Sequence, residues 1–325
     1  MIMLKELLFG VACMVCAASA AQDEYLPKTE DNPFGCVQNA GVGLKGTFYD
    51  LKTDRKDKLT GIGKNEVLAL LAGFVTGGVQ EARLSKYYRS PEKLYASSFY
   101  LPQVDGRIAP IAFGVGEPDK PVKSWQCQPG SWLAIYRGYV IAPKTGKFRF
   151  IGGGDDVVAV RFNNRLVLES GYYMPGLYSS RNPEDAFVAG HPHGREYARL
   201  QELMQKKHRD YERMQMGIGS PGSEHVGLIG GSEFEVKAGQ RYPVQIMIAD
   251  VGGNKCGFAL LVEDVTKGRN RRAVEYDLFR TSEALPDTQK LEQLLRRNGA
   301  VYGGLHHVNF KKDSLIWKVA PPRSK

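Results

Sequence analysis

Apolar and polar residues alternate along the middle and the later part of the chain, which is typical of β-strands. Four such runs, each bounded by turn residues, lie at 132–142, 147–152, 157–162 and 165–170. Asn163 and Asn164 suit the left-handed backbone of a tight turn, so we expect the last two runs to form a hairpin. The Pro-Lys-Thr-Gly turn at 143–146 predicts another hairpin, between the first two runs.

Three other segments show helical spacing. The run KNEVLALLAGFV at 64–75 is apolar on most faces, which indicates a packed helix. The segment 195–216 carries one apolar stripe on an otherwise charged surface and predicts a surface helix, and 288–298 predicts a C-terminal helix.

The order of the predicted elements defines the fold class. A strand at 43–52 precedes a helical insertion near 63–84, and the central strands precede a second insertion near 194–217. More strand patterns follow at 232–265 before a helical tail, and strands and helices do not alternate as they do in parallel α/β folds. We therefore expect a mainly β protein, an antiparallel β-sandwich with two helical insertions and a C-terminal helical tail.

The first 20 residues are typical of a signal peptide. Lys5 precedes an apolar stretch, and Ala18-Ser19-Ala20 resembles a small-residue cleavage site. Residues 21–40 are polar and are interpreted as a tether before a sandwich at 41–266. No later apolar run is long enough to cross a bilayer. These features predict an exported protein that is periplasmic, at the cell surface or extracellular, with no transmembrane span after cleavage.

The chain is basic, with 44 Lys and Arg against 35 Asp and Glu and a net charge of +9. Several of the basic residues lie in a C-terminal extension, 267–325. An exported basic protein meets anionic lipids or polysaccharides, although the charge equally suits a solvated surface. Nucleic acid is a poor candidate because no recognition motif accompanies the charge.

Cysteine provides little further information. Cleavage would leave Cys36, Cys127 and Cys256, which permit at most one intramolecular disulfide. Their wide spacing excludes a CxxC motif, and either buried thiols or one disulfide fits the pattern.

Asp155 and Asp156 follow Gly152–Gly154 inside an apolar strand pattern. Adjacent carboxylates repel each other, so the pair requires an explanation: a turn, a catalytic pair or half of a metal site. Neighbours on a strand point to opposite faces, an arrangement poorly suited to the two carboxyl groups of a glycosidase. The glycines do not form a phosphate loop, and we expect them to let the backbone bend tightly before Asp155.

The chain resembles the PA14 family, a β-sandwich module of toxins, glycosidases and yeast-type adhesins, as a secreted bacterial-type member. The matching pieces, about half of the mature chain, are GLKGTFYDLK, WLAIYRGYVIAPKTGKFRFIGGGDD, VVAVRFNNRLVLESGYY and FEVKAGQRYPVQIMIADVGGNKCGFALLVED. Val157 departs from the Gly or Ser that often follows the aspartate pair in this family.

The resemblance implies a function for the pair. Adhesins of this family bind glycans through calcium, which is held by two consecutive aspartates joined by a cis peptide and by a later loop. The corresponding residues here are Asp155 and Asp156, with Asp250 and Asn254 in the later loop. Paired carboxylates and carbonyls are ligands that suit calcium. Tyr172, Tyr173 and Tyr178 are candidate glycan contacts, since sugar faces stack on aromatic rings, although at least one of them is expected to pack in the sandwich.

Signals for catalysis are absent from the sequence. There is no G-x-S-x-G motif, and His191-Pro192-His193-Gly194 is typical of a loop rather than a metal site. The sequence therefore predicts a non-catalytic binding module for carbohydrate, a glycan or cell-surface polysaccharide, with calcium as cofactor. The alternative is a structural or protein-interaction component of an envelope or surface assembly, which would bind a protein partner through its helical insertion.

Overall fold

A computed structural model describes residues 32–115, 128–171, 213–217, 227–268, 276–297 and 313–321. The described strands are β1 (Leu44–Asp54), β2 (Tyr87–Arg89), β3 (Tyr95–Ala96), β4 (Tyr100–Asp105), β5 (Trp132–Ile141), β6 (Gly146–Asp155), β7 (Val157–Phe162), β8 (Arg165–Gly171), β9 (Arg213–Gly217), β10 (Gly227–Gly230), β11 (Phe234–Val236), β12 (Arg241–Asp250), β13 (Lys255–Asp264) and β14 (Asp277–Leu278). The described α-helices are α1 (Lys64–Gly77), α2 (Glu81–Leu84), α3 (Ile108–Ala112) and α4 (Thr288–Arg297), and a 3-10 turn spans Val37–Asn39. None of these helices is long and apolar enough to cross a membrane.

The strands form two antiparallel sheets that face each other. The first sheet has the order β2-β1-β5-β12-β7-β8, and β3 pairs with one end of β1. The second has the order β14-β13-β6-β10-β9, with β4 on β13 and β11 on β6. The fold is therefore the mainly β, sandwich-like antiparallel arrangement that the alternating pattern predicts.

One predicted hairpin is confirmed and the other is wrong. Strands β7 and β8 pair with each other, and Asn163 and Asn164 have φ of 49° and 63° at the turn. In contrast, β5 pairs with β1 and β12, whereas β6 pairs with β13 in the other sheet. The turn at 143–146 thus carries the chain across the sandwich. Turn residues specify that the chain reverses, but the partner of each strand depends on residues about a hundred positions away.

Aromatic side chains fill the space between the sheets. Phe148, Phe150, Phe162 and Phe234 are buried there, and their ring centroids lie 4.4–6.4 Å from each other in the contacting pairs. Burial of one such side chain is worth about 1.5–3 kcal/mol, so these rings are a large part of what holds the sheets together.

Helix α1 covers the outer face of the first sheet, where the sequence predicts a packed helix. Leu71 and Phe74 are buried together with Leu133, Ile135 and Met247 of the sheet. At the start of the helix, the Glu66 carboxylate accepts a hydrogen bond from the backbone N–H of Gly63 at 3.1 Å. The apolar face of this insertion therefore packs on the first sheet of the same chain.

The described part of the predicted tether, 32–40, is not a free linker. Phe34 and Cys36 are fully buried, and the Cys36 backbone pairs with Tyr95. Phe34 lies edge-on to Phe113 at 5.6 Å. An aromatic residue in a polar stretch with two prolines therefore anchors this segment to the sandwich.

The C-terminal extension also belongs partly to the sandwich. Strand β14 pairs with β13, and Trp317 is fully buried 5.1 Å from the Phe148 ring. The backbone N–H of Trp317 donates to the carbonyl of Arg280, two residues after β14, and the carbonyl of Lys318 accepts from the backbone N–H of Ile141 in β5. Helix α4 lies where 288–298 predicts one.

The end of the second predicted insertion differs from expectation. Residues 213–217 form strand β9, which pairs with β10, so the predicted helix over 195–216 is wrong for its last residues. A helical stripe and a short strand are hard to distinguish locally, and pairing to a neighbouring strand decides the outcome. The rest of that helix, Cys127, His191 and His193, and the signal segment lie outside the described residues.

Candidate metal centre

The aspartate pair lies where the chain crosses from the second sheet to the first. Asp155 ends β6, and Asp156 precedes β7. The peptide bond between them is cis, as the family resemblance implies. This position explains why two acids interrupt an apolar strand pattern, because they occupy the corner between two strands of different sheets.

The glycines before the pair differ from expectation. Gly152–Gly154 continue β6 as extended strand rather than forming a bend. A Cβ on Gly154 would lie only 2.7 Å from the backbone carbon of Val157, and a Cβ on Gly152 would lie 2.7 Å from the Leu168 side chain. Glycine is required here because neighbouring backbone and side chains approach closely.

The two parts of the predicted site come together. Asp250 ends β12, and β12 pairs with β7 so that Ala249 lies opposite Val157. The Asp156 backbone N–H donates to Ala249 O at 3.2 Å. The Asp156 carboxylate accepts hydrogen bonds from the N–H groups of Val251 and Gly252 at 2.7 and 3.2 Å. The pair and the DVGGN loop therefore form one unit.

Three carboxyl groups meet at this corner, which we call the aspartate cluster: Asp155, Asp156 and Asp250. The carboxyls of Asp155 and Asp156 are within hydrogen-bonding reach of each other, as are those of Asp156 and Asp250. Asp156 is 3% exposed and Asp250 is fully buried. Ionised groups this close and this buried repel each other and lose hydration, so the cluster favours protons or a cation.

The pKa values reflect this crowding. Burial, with the Asp155 charge as the next cause, raises the pKa of Asp156 to about 8 despite two backbone N–H donors. Burial, followed by the charges of Asp156 and Asp155, also raises the pKa of Asp250 well above its usual range, against the opposing effect of Lys52. The free, buried Cys256 precedes Gly257, which pairs with Asp155. Burial raises the pKa of its thiol, and the charges of the three aspartates and of Asp105 add to the shift.

Asp250 is the most informative member. Neither of its oxygens accepts a hydrogen bond from an N–H or O–H group of the described residues. Buried carboxylates are normally paired or bound to a metal. Buried acceptors beside two other carboxylates fit a hard divalent cation such as calcium, which takes oxygen ligands.

Side chains alone do not complete such a site. Within the described ranges, no three or more His, Cys, Asp or Glu side chains are spaced as ligands of one ion. A calcium ion would take part of its six to eight ligands from backbone carbonyls and water, as calcium sites commonly do. Asn254, the fourth predicted ligand, is exposed, and its carbonyl accepts from Gly106 N at 3.0 Å. It lies near Asp250, because a Cβ on Gly106 would be 3.1 Å from Asp250 Oδ2 and 3.6 Å from the Asn254 carbonyl carbon.

Strand β4 contributes residues that the sequence did not predict. The Gln103 amide donates to Asp155 Oδ2 at 2.6 Å, and Gln103 is only 8% exposed. Asp105 forms a two-pronged ion pair with Arg107. A Cβ on Gly106 would lie 3.1 Å from Asp250 Oδ2, so glycine permits the close approach of this strand end. In the sequence, the Asp-Gly pair at 105–106 after an apolar run was the local signal that could have indicated this strand end as part of the site.

Asp50 provides a contrast to Asp250. It is also fully buried, but its carboxylate pairs with Lys52 Nζ at 2.7 Å and accepts from Thr53 Oγ1 at 3.0 Å. Lys52 Nζ also donates to Gly130 O at 2.7 Å. Asp50 thus has hydrogen-bond donors among the described residues, whereas Asp250 has none.

The remaining predicted site residues are the candidate glycan contacts. Tyr172, Tyr173 and Tyr178 lie outside the described residues, because the described range that precedes them ends at Gly171.

Comparison with known proteins gives only distant likenesses. No family model and no curated protein matches the chain. Among solved structures, a PA14 sugar-binding domain from an RTX adhesin has a TM-score of 0.37 and 12% identity over 73% of this chain and 94% of that one. The epithelial adhesin 6 A domain from Candida glabrata, in complex with Galb1-3GlcNAc, has a TM-score of 0.32 and 12% identity over 72% and 82%. An anti-sigma factor domain-containing protein from Clostridium clariflavum has a TM-score of 0.33 and 13% identity over 73% of this chain, which spans 45% of that protein. These scores are too low to bear on function.

Proposed function

We propose that the chain is an exported, non-catalytic binding module that holds calcium at the aspartate cluster and recognises carbohydrate beside it. The observation that carries the proposal is Asp250, a fully buried carboxylate without N–H or O–H donors among the described residues, next to Asp156. A bound divalent cation would supply Asp250 with the direct partner that no N–H or O–H group of the described residues supplies.

Calcium would be held by the side chains of Asp155 and Asp156, by backbone carbonyls of the loop that contains Asp250 and Asn254, and by water, next to the buried Asp250 carboxyl. When bound, the ion offers a hard Lewis-acid centre to which sugar hydroxyls can coordinate. The chain's own contribution is orientation. Two backbone N–H groups fix Asp156, and the Gln103 amide fixes Asp155.

The geometry favours binding over catalysis. Glycosidases hold two carboxyl groups about 5–9.5 Å apart so that the sugar or a water fits between them. Here the carboxyls are within hydrogen-bonding reach, and Asp156 and Asp250 are almost wholly buried. Such groups are poorly placed to exchange protons with a substrate.

Carbohydrate as the ligand is supported by the resemblance of the Gly-Gly-Gly-Asp-Asp and Asp-Val-Gly-Gly-Asn segments to the PA14 pattern. The same resemblance and the N-terminal sequence support export. The alternative, an assembly component that binds a protein partner, gains no support from the first insertion, because the apolar face of α1 packs on its own sheet.

A thermal melt tests the calcium part of the proposal. Calcium should raise the melting temperature of the chelator-treated chain, since a ligand at a hundred times its Kd stabilises by about 2.7 kcal/mol. Asp156→Asn should abolish the rise, and magnesium should give a smaller one because it demands stricter octahedral geometry. An unchanged melting temperature at millimolar calcium contradicts the proposal.

A glycan array tests the carbohydrate part. Binding of the wild-type chain should appear with calcium and disappear with chelator, and Asp156→Asn should remain blank in both. Calcium binding without any glycan signal would leave the metal site standing and refute the carbohydrate assignment.

A further inference from the structure

A separate cleft of about 310 Å³ lies at the junction of three chain segments. One wall is the N-terminal segment with Asn39, and another is the connection between β3 and β4 with Ser97 and Ser98. The third is the start of α4. The cleft has the size of small-molecule sites, which begin at about 300 Å³.

The cleft is distinct from the aspartate cluster. Tyr100, at one end of β4, lines the cleft. Asp105, at the other end, directly precedes Gly106, whose backbone approaches Asp250 closely. Five residues of extended strand separate Tyr100 from Asp105 by about 17 Å. A ligand in the cleft would therefore not touch the proposed calcium ion.

The lining combines an apolar base with neutral polar groups. Tyr100 and Leu291 are 5% and 6% exposed, and Leu285 packs against the apolar cluster that contains Tyr100. The hydroxyls of Ser97 and Ser98 and the amide of Asn39 belong to the same lining, on partly exposed residues. Hydroxyl and amide groups both donate and accept hydrogen bonds, so they match a ligand that does the same.

The charged residues of the cleft do not select an ion. Asp287 starts α4, and its carboxylate accepts from the backbone N–H groups of Gln289 and Lys290 at 3.1 and 3.0 Å. The Lys290 side chain brings one positive charge to the same lining. The charged residues of the lining are thus one of each sign, so its net charge is zero and it suits a ligand without net charge.

We propose that this cleft binds a small, neutral, polyhydroxylated ligand of the saccharide or polyol class, independently of calcium. The hydroxyls of such a ligand pair with Asn39, Ser97 and Ser98, and its apolar C–H face rests on Tyr100 and Leu285. The proposal goes beyond the calcium-dependent function, because the cleft uses none of the residues of the aspartate cluster.

Saturation-transfer difference NMR on the full chain in the presence of chelator tests the cleft. The probes are maltose, cellobiose, lactose and sorbitol. At least one should receive saturation from the wild-type chain. Ser98→Phe, which fills the cleft, should reduce that signal several-fold, and Asn39→Ala, which removes an amide without adding bulk, should also reduce it.

Two control variants separate this site from the calcium site. Ser232→Phe places the same bulk on another partly exposed serine that does not line the cleft, and it should keep the signal. Asp156→Asn should keep it as well. The cleft proposal is overturned by no transfer to any probe, or by equal transfer in Ser98→Phe, Asn39→Ala and wild type. Transfer seen only with calcium and lost in Asp156→Asn also overturns it, while supporting the proposed function.

Discussion

Replacing Asp250 by Asn should have opposite effects on stability in the absence and in the presence of calcium. Asp250 is fully buried, receives no N–H or O–H donor from the described residues and lies within reach of the Asp156 carboxyl. Asn has the same shape and no charge, and its amide can donate to Asp156. In chelator the substitution should therefore stabilise the fold.

The magnitude follows from the cost of a buried, unsatisfied polar group, about 1–3 kcal/mol. In a domain of this size each kcal/mol shifts the melting temperature by about 2–4 °C, so we expect a rise of several degrees in chelator. Calcium should raise the melting temperature of wild type but leave that of Asp250→Asn nearly unchanged.

Asp50→Asn is the matched control for this experiment. Asp50 is equally buried, but it is paired with Lys52 and Thr53. Its replacement should lower the melting temperature in chelator and leave the calcium increment intact. Destabilisation of Asp250→Asn in chelator, similar to that of Asp50→Asn, would show that Asp250 is an ordinary structural carboxylate and would refute the reasoning.

Three further predictions follow from the same contacts. Gln103→Leu removes the 2.6 Å hydrogen bond to Asp155 and should weaken calcium binding about tenfold in a calorimetric titration, since about 1.4 kcal/mol is a factor of ten; unchanged affinity would show that Gln103 does not orient Asp155. Calcium affinity should rise with pH between about 4 and 8, because Asp156, with its pKa raised to about 8, binds a proton in preference to calcium below that value. In chelator the same raised pKa means that the stability of the fold falls as the pH rises through this window. A calcium affinity and a stability that are both independent of pH would contradict this prediction. Trp317→Ala should cost about 3–5 kcal/mol in urea unfolding because the indole is fully buried among core aromatics; a loss below about 1 kcal/mol would show that the C-terminal segment is not part of the core.

The elements that local sequence patterns determine were predictable. The Asn163–Asn164 hairpin, the packed helix α1 and the C-terminal helix α4 all depend on residues within a few positions of one another. The sandwich class followed from the order of these patterns. The pairing of β5 and β6 did not, because the partners of both strands lie far along the chain.

The aspartate cluster was predictable only in part. Asp155, Asp156 and Asp250 belong to segments that match a known pattern, and the structure brings these residues together. Gln103 lies in β4 and Gly106 directly follows it, where the Asp-Gly sequence was the only local signal, and they reach the cluster because β4 pairs with β13. Phe34 stands in a segment too polar to predict a core position, and Trp317 stands in a short run interpreted as part of the C-terminal tail, yet both are fully buried in the sandwich interior.

Equilibrium dialysis against radioactive calcium measures the central claim directly. The wild-type chain, stripped with chelator and returned to millimolar calcium, should retain one ion per molecule, and Asp50→Asn should retain the same amount. Asp156→Asn and Asp250→Asn should retain none above background. Equal retention by all four proteins, or none by wild type, would contradict a calcium site at the aspartate cluster.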